Sequence, residues 1–88
     1  MPRYAARVDA NHSQLVAAAR KLGFRVLDLS RVGQGCPDLL LQHPRTHQLL
    51  LAEVKVPTGK INALQAAFGT EWPVHIVRTV DDLLKLLK

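Results

Sequence analysis

The chain has few of the features that mark secreted, membrane-spanning or disordered proteins. It contains one cysteine, Cys36, so no intrachain disulfide can form and a reducing cytoplasm is the expected compartment. No apolar run approaches the roughly 20 residues that span a membrane, and the N-terminus lacks the apolar segment of a signal peptide. Aromatic residues make up 5% of the chain, too few to build a stacking platform for single-stranded nucleic acid.

Glycine and proline are also scarce, with five of each among 88 residues, and 48% of the residues are apolar. This composition is typical of a folded chain, and its length allows one domain, residues 1–88, with a modest core. The sequence has no internal repeat and no long linker.

Basic residues outnumber acidic ones, twelve to seven, which gives a net charge of +5. They are spread along the chain without a run of like charge, so a disordered basic tail is not expected. Such a surface attracts phosphate backbones in a salt-dependent way. Charge alone does not separate DNA-binding proteins from other basic proteins.

Hydrophobic periodicity predicts three helices and four strands. We expect helices over 11–22 and 63–69 and a third beginning at the capping residue Thr79, with strands over 24–29, 38–43, 48–56 and 73–78. Asn11 or Ser13 is the expected cap of the first helix, and Gly23 its end. The element order α-β-β-β-α-β-α predicts an α/β domain with a mixed four-stranded sheet flanked by helices.

Each helix carries an apolar stripe that we expect to face the sheet. The stripes are Leu15, Ala18, Ala19 and Leu22 in the first helix, Ile61, Leu64, Ala67 and Phe68 in the second, and Val80, Leu83, Leu84 and Leu87 in the third. Trp72 is expected in the core beside Phe68. The strand over 48–56 is apolar on both faces, which is typical of a central, covered strand.

Three charged residues interrupt the apolar strands. Asp38 begins one strand, and Glu53 and Lys55 lie near the end of the next. Burying an ionised group costs several kcal/mol unless a partner or a metal compensates it. Because side chains two apart on a strand share a face, Glu53 and Lys55 should point together, and Asp38 can converge on them. A functional site is the favoured interpretation, and a buried ion-pair cluster without chemistry is the alternative.

The motifs Pro37-Asp38 and Glu53-Val54-Lys55 together resemble the signature of the PD-(D/E)xK metal-dependent nucleases. Within that superfamily the chain is similar to the small stand-alone VRR-NUC domains. The likeness covers nearly the whole chain, through 30–38, 53–55, the Gln-x-x-Phe segment in 61–68, Trp72 and the terminal helix. It implies a restriction-endonuclease-like core with the same element order.

The resemblance also implies a site. Asp38, Glu53 and the Val54 carbonyl would bind Mg²⁺ or Mn²⁺, both of which take oxygen ligands. Lys55 would be the charge that orients the attacking water or stabilises the developing anion. No small-molecule cofactor is expected.

Two glutamines, Gln65 and Gln14, are the other candidate residues of this site. Gln65 helps to hold the active site in the resembled family, but Asn62-x-x-Gln65 is also a capping-box pattern. Gln14 stands where related domains usually carry a glutamate that completes the acidic pocket. A glutamine adds no negative charge there, so slow or absent turnover is a possible consequence.

The loop before Pro37 is the expected DNA contact. Gly33 and Gly35 permit positive φ and close backbone approach, and Ser30 and Arg31 suit phosphate. An ordinary connector is the alternative for this loop. Lys60, after the catalytic strand, is a further candidate with a weaker claim.

The sequence therefore predicts an endodeoxyribonuclease that acts on branched DNA, such as Holliday junctions or flaps. Resembled members act as homodimers, which could cut opposing strands symmetrically, and are suited to a bacterial or phage-infected cell. The alternatives are a DNA-binding or assembly module that keeps the fold without catalysis, and a basic protein-interaction domain with an ion-pair core.

Overall fold

The computed structural model describes residues 3–88, with side chains from residue 11 onward. Three helices and four strands follow one another within this range. They are α1 (Arg3–Lys21), β1 (Arg25–Asp28), β2 (Leu39–Gln42), β3 (Leu49–Val54), α2 (Ala63–Glu71), β4 (Val74–Val77) and α3 (Val80–Leu86). Within the described range, no helix has both the length and the hydropathy needed to cross a membrane.

The first helix is longer than the sequence pattern predicts. It begins at Arg3, so the expected cap at Asn11 or Ser13 is wrong: both residues lie inside the helix. The stretch from Arg3 to Ala10 contains no glycine or proline to stop the helix. The end is where expected, because Gly23 adopts φ +99° and the Phe24 N–H turns back to the Ala19 carbonyl.

The four strands form one sheet in the spatial order β1-β2-β3-β4. β1, β2 and β3 pair antiparallel, and β4 joins β3 in parallel. The predicted α/β domain with a mixed four-stranded sheet is therefore confirmed. β3 is an interior strand, as its two apolar faces indicated.

The hydrophobic core lies between one face of the sheet and the helices α1 and α3. Its fully buried members are Leu15, Ala19, Phe24, Leu39, Leu41, Leu50, Ala52, Val54, Val77 and Leu83. The apolar stripe predicted for α1 packs here, with Ala18 and Leu22 beside the buried Leu15 and Ala19. The stripe predicted for α3 is partly wrong. Leu83 is buried, but Val80 and Leu84 are exposed, and Leu86 packs inward with Leu87.

The opposite face of the sheet is only partly covered. Strand register and side-chain alternation place one set of residues there: Leu27, Leu40, Leu49, Leu51, Glu53, Val74 and Ile76. α2 covers the end that holds Glu53 and Ile76. At the other end Leu27 is 57% exposed and Leu49 61% exposed. An apolar surface therefore remains open on this face.

The face of α2 that turns to the sheet differs from the prediction. None of the α2 residues, Ala63–Glu71, is buried. Leu64 is 61% exposed and Trp72 53% exposed, so neither belongs to the core. Phe68 stacks on Trp72 on the outer side, with ring centroids 5.9 Å apart. The helix instead presents Gln65, Ala66, Gly69 and Thr70 to the sheet.

His43, at the end of β2, is buried and satisfied by the backbone. Its Nδ1 accepts from the N–H groups of Arg45 and Thr46, so Nε2 carries the proton and donates to the Leu87 carbonyl at 3.0 Å. Arg45 donates to the same carbonyl. The β2–β3 turn is thereby bonded to the C-terminal end of α3.

The loop before β2 provides a stability prediction. Gly33 and Gly35 have φ of +74° and +81°, but only at Gly35 would a Cβ collide, with the Leu64 carbonyl of α2. We expect Gly33→Ala to lose about 1 kcal/mol of unfolding free energy from backbone strain. Gly35→Ala should lose roughly 2 kcal/mol more, because α2 must shift. Urea denaturation of both variants measures the difference, and equal losses would contradict this packing of the loop on α2.

Candidate functional site

Asp38 and Glu53 come together at one end of β2 and β3. Leu39 pairs with Ala52, so the next residue outward on each strand, Asp38 and Glu53, occupies the opposite face. The Asp38 Oδ2 accepts the Val54 N–H at 2.9 Å. This bond fixes the carboxylate beside the backbone of β3, where the sequence places the second half of the motif.

Lys55 lies on the same face as Glu53, as strand alternation predicts. Its N–H donates to the Val77 carbonyl at 3.0 Å, which continues the pairing with β4 by one residue. The Nζ lies 3.6 Å from the Glu53 Oε2. The three charged residues of the two motifs therefore form one cluster.

Gln65 performs both of the roles that the sequence left open. Its Nε2 donates to the Glu53 Oε2 at 2.7 Å. Its Oε1 accepts the Asn62 N–H, and the Asn62 side chain accepts the Gln65 N–H, which completes the capping box of α2. One side chain thus connects the start of α2 to the carboxylate on β3.

The environment of Glu53 favours its protonated form. The residue is 4% exposed, and burial, followed by the negative charge of Asp38, raises its pKa to about 7. Lys55 opposes this shift without cancelling it. Within the described part of the chain, the buried Glu53 Oε1 has no hydrogen-bond partner.

These features fit a hard divalent cation. A buried carboxylate oxygen without a partner is costly unless something positive binds it. Asp38 supplies a second carboxylate, and the carbonyl of Val54 lies on the strand between Glu53 and Lys55. Oxygen donors of this kind suit Mg²⁺ or Mn²⁺. A cation would also displace the proton that Glu53 otherwise holds near neutral pH.

Among the described side chains of α1, Asn11 makes a hydrogen bond to the backbone of the site. Gln14 is exposed, and no hydrogen bond described for the cluster involves it. Asn11, one turn earlier on α1, donates from Nδ2 to the Lys55 carbonyl at 3.4 Å. The expected role of Gln14 therefore stays a prediction. Asn11, which the sequence indicated as a helix cap, contacts the backbone of the site instead.

In the loop predicted to contact DNA, Gly33 and Gly35 both have the positive φ that the sequence suggested. Arg31 and Lys60 are exposed. Ser30 is already engaged, because its N–H and its hydroxyl both bind the Asp28 carboxylate and lower the Asp28 pKa. Contact of these residues with DNA stays a prediction.

Arg78 is a supporting residue that sequence reasoning did not find. It follows β4, and its Nη1 donates to the carbonyls of Val56 and Gly59 at 3.0 and 2.6 Å. It therefore holds the loop that leaves Lys55. No local pattern signals this role, because it depends on β4 lying parallel beside β3.

The two roles of Gln65 can be separated by mutation. Gln65→Glu keeps an acceptor for the Asn62 N–H but replaces the donor to Glu53 with a negative charge. Asn62→Ala removes the cap and leaves that donor in place. We expect Asn62→Ala to lose about 1 kcal/mol of stability and little function. Gln65→Glu should strengthen Mn²⁺ binding at least several-fold, because it adds a carboxylate beside that of Glu53. Calorimetry and denaturation measure both, and equal metal affinities would contradict a role for the Gln65 amide in the site.

Comparison with protein-family models, curated proteins and solved structures found no significant match. The class of the protein therefore rests on its fold and on the side chains of the site. It is a small basic α/β domain in which two carboxylates, a lysine and a glutamine converge at one end of an interior strand.

Proposed function

We propose that the chain is a metal-dependent endodeoxyribonuclease of the PD-(D/E)xK type, with a restriction-endonuclease-like core and a VRR-NUC-like site. The observation that carries the proposal is the cluster of Asp38, Glu53, Lys55 and Gln65 around a buried carboxylate oxygen without a partner. Buried acceptors are normally satisfied, so an oxygen without a partner supports a site that binds a cation over a purely structural ion pair.

The proposed reaction is hydrolysis of a phosphodiester bond. The oxygen of water forms a bond to phosphorus as the water gives up a proton to solvent. The bond from phosphorus to the leaving alkoxide breaks, and the alkoxide oxygen takes up a proton from solvent. Mg²⁺ or Mn²⁺, held by Asp38, Glu53 and the Val54 carbonyl, would supply Lewis acidity toward the phosphate and the attacking water. Lys55 holds a positive charge where negative charge develops. Gln65 fixes the Glu53 carboxylate in orientation.

Branched DNA and a homodimer are part of the proposal. The net charge of +5 suits phosphate backbones. The open apolar end of the sheet, with Leu27 and Leu49, is a surface that a second copy could cover. Leu49→Lys should then shift the chain toward the monomer in light scattering, and an unchanged mass would exclude this face from the dimer contact.

A second function is favoured by one observation. Gln14 stands where the resembled domains usually carry a glutamate, and it adds no negative charge to those of Asp38 and Glu53. A DNA-binding or assembly module with impaired catalysis would have a site that lacks this third negative charge.

A cleavage assay on duplex, flap and four-way DNA tests the two functions. With Mg²⁺ or Mn²⁺ we expect cutting of branched DNA. Gln14→Glu and Asn11→Asp, assayed alongside, compare the two helix positions at which an added acid could raise the rate. Binding of branched DNA without cutting under either metal would reject the enzyme and favour the binding module. Absence of Mn²⁺ binding in calorimetry would reject the metal site at Asp38 and Glu53, and with it the metal-dependent nuclease.

A further inference from the structure

A cavity of about 290 Å³ lies between α2 and the sheet, directly beside the carboxylates. Val74 and Ile76 of β4 form its apolar floor, and Ala66, Gly69 and Thr70 of α2 line its helical wall. Glu53 lies at one end, so the cavity is continuous with the candidate active site. Apart from Glu53 and Gln65, its lining residues take no part in the charged cluster.

The cavity is held open by contacts on two sides. Gln65 joins α2 to Glu53, and Gly35 lies so close to the Leu64 carbonyl that no side chain fits there. The wall itself has little bulk, since a Cβ at Gly69 would meet no atom within 4 Å. The space is therefore part of the folded chain and does not need a partner to form.

Size and chemistry limit the occupant. The volume is at the lower end of small-molecule sites, about 300–1,000 Å³, which is room for one ring system. Its lining is mostly apolar, and its polar side chains are Glu53, Gln65 and Thr70. Flat heterocycles with polar edges match such a slot, because apolar side chains can sandwich the faces while the edges reach polar groups.

We propose that this cavity binds one unstacked nucleobase of the DNA strand whose phosphate lies at the carboxylates. The inference rests on the proposed nuclease function and extends it to substrate choice. Extruding a base from an intact duplex costs a few kcal/mol, and less at a branch or an unpaired end. A base-binding slot beside the reacting phosphate therefore favours DNA with unpaired nucleotides over plain duplex.

The test fills the cavity without disturbing the helix. Gly69→Leu adds a side chain where space is open, and leucine is a better helix former than glycine by nearly 1 kcal/mol. Ala67→Leu places the same side chain on the exposed outer side of α2 and is the matched control. Binding is followed by 2-aminopurine placed at the branch of a four-way DNA, in a Lys55→Ala background so that the signal does not depend on cleavage.

We expect the parent to raise the 2-aminopurine fluorescence several-fold, because the base leaves its stack for a site without aromatic residues. Gly69→Leu should abolish this rise, and with Lys55 intact it should lower kcat/KM on branched DNA by about 10- to 100-fold, while Ala67→Leu behaves as the parent in both assays. A signal that Gly69→Leu leaves unchanged, or no signal in the parent, would overturn the base site. A change in oligomeric state with Gly69→Leu would also overturn it, since the cavity would then hold a residue of a second copy. If the parent never cuts DNA but the fluorescence pattern holds, the nuclease fails and the base site stands.

Discussion

Lys55→Ala is expected to abolish DNA cleavage, with a loss in kcat of about 10³-fold or more, while leaving the fold intact. The side chain is 19% exposed and its only described ion-pair partner is Glu53. Removing a charge that stabilises a transition state costs several kcal/mol of activation energy in a site of low dielectric. Single-turnover cleavage of a labelled flap measures the rate, and calorimetry with Mn²⁺ checks that the carboxylates still bind.

The matched control is Lys88→Ala, which removes the same charge from an exposed terminal position. It should alter DNA affinity slightly through net charge and leave kcat as in the parent. If Lys55→Ala cuts within tenfold of the parent, Lys55 is only an ion-pair partner of Glu53. Loss of Mn²⁺ binding in Lys55→Ala would point instead to collapse of the site.

The part of the site that the sequence predicts is the part set by local geometry. Glu53 and Lys55 face the same way because strand side chains repeat every two residues, and the alternation holds to the end of β3. Asp38 follows from the same rule once β2 pairs antiparallel with β3. The four strands could be predicted for a similar reason, since their apolar content and the breaks between them are local signals.

The part that could not be predicted depends on tertiary contacts. Helical periodicity favoured Leu64 and Phe68 as the inward side of α2, yet Leu64 is exposed and Phe68 is only half-buried, while Gln65 bonds to Glu53. The cavity beside Gly69 exists only in that orientation of α2. Arg78 likewise acts across the parallel β3–β4 pair, which no local pattern reveals.

The same contacts connect function to stability at Glu53. A carboxyl group whose folded pKa is raised to about 7, against an ordinary value of 4.5, makes folding less favourable once it ionises. The metal-free protein should therefore be most stable, with respect to this group, below pH 4.5 and lose stability as the pH rises to 7. At about 1.36 kcal/mol per pKa unit the loss is on the order of 3 kcal/mol.

Glu53→Gln should consequently make the metal-free protein more stable than the parent at pH 8, by roughly 3 kcal/mol, and no more stable at pH 4.5. It should also lose the rise in Tm that Mn²⁺ gives the parent through selective binding to the folded state. Thermal unfolding at the two pH values, with and without Mn²⁺, measures both effects. Glu71→Gln makes the same chemical change at an exposed position and should shift neither. A Glu53→Gln variant that is destabilised at pH 8 would instead mean that the Glu53 carboxylate stabilises the fold through its ion pair with Lys55.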